Sequence, residues 1–228
     1  MAKEQTPSRS PRRAPLIGAG LVVLLLVIGV LVFVSRDDAP TRRATPGDGE
    51  TTASDDDVAS PTTPSFRFRD TSRELVRTSP KPVGRRHRQA ALAAANTAEN
   101  VLADLYTEGF LDPTNWEEGR YAEAFRGFAR GARAQAETRP GSLTAGPRAG
   151  DRYERIEPKL GRIATRILLD REGSPVLLVS VVRFTAIATG TEDVVLRSTG
   201  QFLFERVGGA WRIVSFDVTR NDRPRERA

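Results

Sequence analysis

The chain of 228 residues contains no cysteine. That absence excludes a disulfide framework and any cysteine-ligated metal site. There is one histidine, His87, and it sits in the basic run Arg85-Arg86-His87-Arg88. This is a solvated setting and not a pocket lining, so a zinc site would have to be built from carboxylates alone. Lysine is scarce: Lys3, Lys81 and Lys159 are the only ones. The excess of arginine, with frequent alanine, glycine and proline, is the composition of a high-G+C bacterial genome. Also missing are a glycine-rich phosphate loop after a strand, an H-E-x-x-H pair and a G-x-S-x-G elbow. No cofactor and no metal is expected.

A one-sided charge is lacking too. The net charge is +6, but residues 1–13 carry +3 of it, residues 36–83 carry −1 and residues 84–221 carry +3. The remaining +1 falls in residues 222–228. A nucleic-acid-binding domain concentrates positive charge on one face or arm. Here both signs are interspersed, so nucleic acid is not expected as a partner.

What is present begins with a long apolar run. Residues 15–34 read PLIGAGLVVLLLVIGVLVFV, and residues 14–35 carry no charge. At about 1.5 Å per residue this run spans roughly 30 Å, the thickness of a bilayer core. A cleaved signal peptide has a shorter apolar region and small residues at its end. Phe33-Val34-Ser35-Arg36 does not provide them. The segment therefore predicts a signal-anchor: a basic cytoplasmic tail (1–13), then a transmembrane helix (14–35) in contact with lipid through residues 15–34. Lys3, Arg9, Arg12 and Arg13 precede it, and Arg36, Arg42 and Arg43 follow it. The bias, with Arg12-Arg13 directly against the helix, places the N-terminus inside and the C-terminal domain outside the cytoplasm.

Residues 36–83 are rich in Pro, Thr, Ser and Asp and read as a disordered tether. As a flexible coil it would reach roughly 35–40 Å. Within it, Phe66-Arg67-Phe68-Arg69 and Ser72 to Val76 stand out. They are read as a weakly structured approach to the domain, with a short docking strand or helix as the alternative.

The soluble domain is expected over 84–221. Ala91, Ala95, Ala98, Leu102 and Leu105 recur at helical spacing over 87–108. Asp112 to Glu117 opens a second helix, with Thr114 and Glu117 at capping-box spacing. Its apolar face is Tyr121, Phe125, Phe128, Ala132 and Ala136. Residues 139–150 read as loop. Strands are expected at 160–169, 176–188, 194–207 and 210–219. The pair Gly208-Gly209 marks a hairpin, and residues 222–228 read as a charged, frayed tail. Short turns between consecutive strands predict an antiparallel meander of about four strands. The fold class is α+β, with helices packed on one face of a curved sheet.

The ending Gly208-Gly209-Ala210-Trp211-Arg212-Ile213-Val214-Ser215-Phe216-Asp217-Val218 resembles the last hairpin of the nuclear transport factor two-like fold, the cystatin-like cone. With the anchor added, the chain resembles actinobacterial Mce-associated membrane proteins; inner-membrane scaffold proteins of type IV secretion systems share the layout. The resemblance implies a cone between helices and sheet. Tyr121, Phe125, Phe184 and Trp211 would line it, and Asp217 would point into it if its face is the inner one. Asp217 would then be a general base, or more simply the partner of an arginine on the next strand.

Three functions follow as expectations. The first is a non-enzymatic membrane-anchored accessory or scaffold protein of the cell envelope, binding a protein partner or transport complex. The second is a pocket for a small hydrophobic ligand such as a lipid, with or without weak catalysis. The third is a secretion-channel scaffold that self-associates as a homo-oligomer.

Overall fold

Alanine carries the first helix. Ala91, Ala94, Ala95, Ala98, Leu102, Leu105 and Tyr106 form the buried stripe of α1 (Arg85–Tyr106). Small residues let this 22-residue helix lie close against the sheet without loss of helix propensity. The computed structural model describes residues 65–116 and 121–225. The expected tail at 1–13, the expected membrane segment at 14–35, most of the expected tether and residues 226–228 lie outside them. No helix among the described residues is long and apolar enough to cross a membrane.

The architecture is α+β, as expected, but the sheet has five strands and is mixed. After β1 (Asp70–Arg77) come α1, α2 (Arg130–Thr138), α3 (Ala149–Arg152), β2 (Tyr153–Leu169), β3 (Pro175–Gly190), β4 (Val194–Val207) and β5 (Ala210–Pro224). The strands lie in the order β1-β2-β3-β4-β5. β2 to β5 are the predicted antiparallel meander. β1 pairs with β2 in parallel, because the connection between them holds all the helices and returns the chain to the same end. The segment read as tether thus ends earlier than residue 83. Phe66 and Phe68 are buried, and Arg69 donates its backbone N–H to Gly161 O at 3.0 Å.

The second helix is shorter than its periodicity predicts. Asp112, not Thr114, is the cap: its carboxylate accepts from Thr114 N at 3.0 Å and opens only a short 3-10 turn over Pro113–Asn115. Glu117 lies outside the described residues. Further on, the backbone is taken up by the sheet. Ala129 N–H donates to Ile213 O at 2.8 Å, and Ile213 N–H donates to Gly127 O at 3.0 Å. Groups committed to β5 cannot serve a helix. Gly127 makes this approach possible, because a Cβ there would overlap Val101 of α1. The predicted apolar face is nevertheless real: Tyr121, Phe125, Phe128, Ala132 and Ala136 are all buried.

On the sheet the period-two signal holds. Ile163, Thr165, Ile167 and Leu169 of β2 face inward, as do Val194, Leu196, Ser198, Phe202 and Phe204 of β4. Gly208 and Gly209 have φ of 60° and 83°, the geometry of a tight two-residue hairpin. β5 departs from simple alternation. Leu203 pairs with Ser215 and Phe204 with Ile213, so Val214 is an extra residue. A bulge of one residue swaps the faces of everything beyond it. Trp211 and Ile213 face inward before it; Phe216, Val218 and Arg220 do so after it, and the strand continues to Pro224 instead of fraying at 222.

Candidate functional site

The space between α1 and the sheet is filled by rings. Phe184 of β3 has its centroid 4.7 Å from Tyr106, 5.2 Å from Phe110 and 5.4 Å from Phe66. Phe66 and Phe68 meet edge-on at 4.9 Å. They enter from the chain that precedes β1 and close this end of the interior. Gly161 makes room, since a Cβ there would overlap the Phe66 ring. Towards β5, Phe125, Phe128 and Phe216 continue the packing at 5.5 Å steps.

Polar groups in this interior mostly satisfy one another. Tyr106 Oη and Ser198 Oγ are 3.2 Å apart, and Thr165 Oγ1 and Ser180 Oγ are 2.9 Å apart. Tyr121 donates its hydroxyl to Gly146 O at 2.6 Å. Burial pushes the phenols of Tyr106, Tyr121 and Tyr153 above their ordinary value. Among the described residues, two buried atoms, Trp116 Nε1 and Tyr153 Oη, have no hydrogen-bond partner.

Of the five residues singled out in the sequence, Tyr121, Phe125 and Phe184 are buried in this packing. Trp211 is half-buried at the rim of an outer cleft. Asp217 does not point into the interior: the bulge at Val214 turns it to the exposed face of β5. Its predicted face, shared with Trp211 and Ile213, would need an unbroken strand.

Two features escaped sequence reasoning. One is Arg220, which lies just beyond the last strand expected, at 210–219. It pairs with Asp222 at 2.6 Å and 2.8 Å, and donates to the carbonyls of Thr144 and Gly141. It thereby ties the end of β5 to the loop before α3. Counting alternation onward from Phe216 would have pointed to it. The other is the cleft, of about 930 Å³, between α1 and the ends of the β2–β3 and β4–β5 hairpins. Arg86, His87, Arg206 and Arg212 supply its charge, and Ala90, Ala93, Val101 and Trp211 its apolar surface. His87 is therefore half-exposed in the wall of an open cleft, where no pocket lining was expected. Among the described residues no carboxylate lines this cleft.

No family model, curated protein or solved structure matches the chain. Among the described residues no three His, Asp or Glu side chains gather as a metal site would require. What the geometry offers is a packed interior and an open, basic, partly apolar concavity outside it.

Proposed function

We propose that this chain is a non-enzymatic, membrane-anchored accessory protein of the bacterial cell envelope, with an extracytoplasmic domain that binds a protein partner. The observation that carries the reading is the occupant of the interior. In a cone-shaped ligand binder that space receives the ligand. In this chain Tyr106, Phe110, Phe184 and Phe66 occupy it. The concave surface left for recognition lies outside, and its tryptophan and arginines are the residue types that dominate protein–protein affinity. The apolar run at 15–34 supports the anchor, and the resemblance to Mce-associated membrane proteins supports the envelope setting. A tethered domain with a docking cleft gains local concentration at the membrane.

The test is native mass spectrometry of residues 57–228 exported to a bacterial periplasm. A fragment begun at Gly84 would lack Phe66 and Phe68 and leave the interior open. The expected species has the bare chain mass. A co-purifying lipid of defined mass would overturn the reading in favour of an apolar ligand pocket.

A further inference from the structure

Some arginines on this surface meet carboxylates. Arg73 pairs with Glu99, Arg126 with Asp104, Arg152 with Glu192 and Arg162 with Asp70, all within 3.0 Å. The cleft gathers three that, among the described residues, do not. Arg206 donates to Gly209 O at 3.2 Å and Arg212 to Arg126 O at 2.7 Å, and neither carbonyl cancels a charge. Glu205 stands opposite Arg212 in register, yet the Arg212 guanidinium turns away to Arg126 O. Arg86 lies in the first turn of α1 beside Arg85, His87 and Arg88, with no acidic residue in that turn. Positive side chains at the positive end of a helix dipole work against stability. Among the described residues, three guanidinium groups thus stand around one concavity with no carboxylate partner.

The surface between them is apolar and shallow in side-chain bulk. Ala90, Ala93 and Thr97 share the solvent side of α1, so a backbone can approach the helix closely. Trp211 stands half-buried opposite them. A flat bilayer surface would touch the rim of such a concavity and miss its floor. A nucleic acid would leave the alanines without an apolar partner. An acidic peptide meets both demands.

We infer that the cleft is the docking site for an acidic peptide segment of a protein partner. Its carboxylates would pair with Arg86, Arg206 and Arg212, and its apolar side chains would rest on the alanine floor against Trp211. This rests on the reading of the domain as a protein-binding module.

The experiment uses the full chain in detergent micelles and fluorescence anisotropy. The probe is a labelled synthetic peptide in which Asp and Glu alternate with Leu and Ala; its control replaces every acid by Lys. The acidic peptide should bind, the basic one should not, and added salt should weaken binding. Arg206→Glu with Arg212→Glu should lower affinity at least tenfold, whereas Arg197→Glu, exposed elsewhere on β4, should not. Ala93→Glu, which removes no arginine, should also lower affinity at least tenfold and guards against a double variant that fails to fold. Equal binding of both peptides, or no effect of the cleft variants, would overturn the inference. So would tighter binding of single-stranded DNA or of short-chain phosphatidylglycerol at equal charge. If the peptide fails while the domain still shows its bare mass, the docking site falls and the accessory reading stands. A lipid in the interior removes that reading whatever the peptide does.

Discussion

A phenol moved out of water resists losing its proton, because the phenolate loses more solvation than the neutral form. All three tyrosines of this chain, Tyr106, Tyr121 and Tyr153, are in that position, with burial the largest cause for each. Their folded pKa values lie above the unfolded value near 10. The stability they contribute is therefore fully present below pH 10 and is lost as pH rises through the folded values. At most about 1.4 kcal/mol per tyrosine disappears for each pH unit above 10. Phenolate absorbance at 295 nm should consequently rise above pH 10 only in step with the loss of near-ultraviolet circular dichroism. Tyr106→Phe should cost about 1–3 kcal/mol at neutral pH, by stranding Ser198 Oγ, and should make the alkaline decline less steep. Phenolate that appears in the folded protein near pH 10 would sink this account.

At the scale of elements, β1 and the two phenylalanines before it decide where the domain begins. Phe66→Ala should cost about 3–5 kcal/mol, since the ring is enclosed by Phe68, Tyr106 and Phe184. Gly161→Ala should also destabilise, because its Cβ needs the space of the Phe66 ring. If that overlap is the cause, Gly161→Ala should cost little in a Phe66→Ala background, a coupling that urea denaturation of residues 57–228 would measure. Simple additivity of the two changes would argue against the packing described. β2 to β5 were legible in the sequence, because one buried face imposes alternation on Ile163 to Leu169 and Val194 to Phe204. β1 was not legible as part of the sheet, since its backbone pairs with β2 while five of its eight side chains in a row, Asp70 to Glu74, are exposed. The second helix misled for the opposite reason. Burial at Tyr121, Phe125 and Phe128 follows helical spacing, yet the local backbone bonds to Ile213. The candidate cleft was invisible, because it joins residues more than a hundred positions apart, Arg86 with Arg206 and Arg212. The bulge at Val214 leaves no mark in composition, so Asp217 was assigned to the wrong face.

At the scale of the whole molecule, the arrangement proposed here depends on which side of a membrane the folded domain occupies. The apolar run at 15–34 and the pair Arg12-Arg13 beside it argue for an N-terminus held inside by the positive-inside preference. The bias is four basic residues before the run against three closely after it, and thiol labelling measures the orientation directly. The absence of cysteine makes that measurement clean, because any thiol introduced is the only one in the chain. Thr219→Cys places a thiol on the exposed face of β5, beyond the bulge and away from the packed interior. Ser8→Cys places one before the apolar run. In cells stripped of their wall, a membrane-impermeant maleimide should label Thr219→Cys at once and Ser8→Cys only after permeabilisation, and alkaline carbonate should leave both variants with the membrane. The reverse labelling pattern would keep the anchor but turn the domain to the cytoplasm, removing an envelope partner from the proposal. Release by carbonate would remove the anchor itself. The interior packed by Phe66, Phe110 and Phe184 and the cleft beside Trp211 would be unchanged in either case, because they rest on contacts made within residues 65–225 and not on where the chain resides.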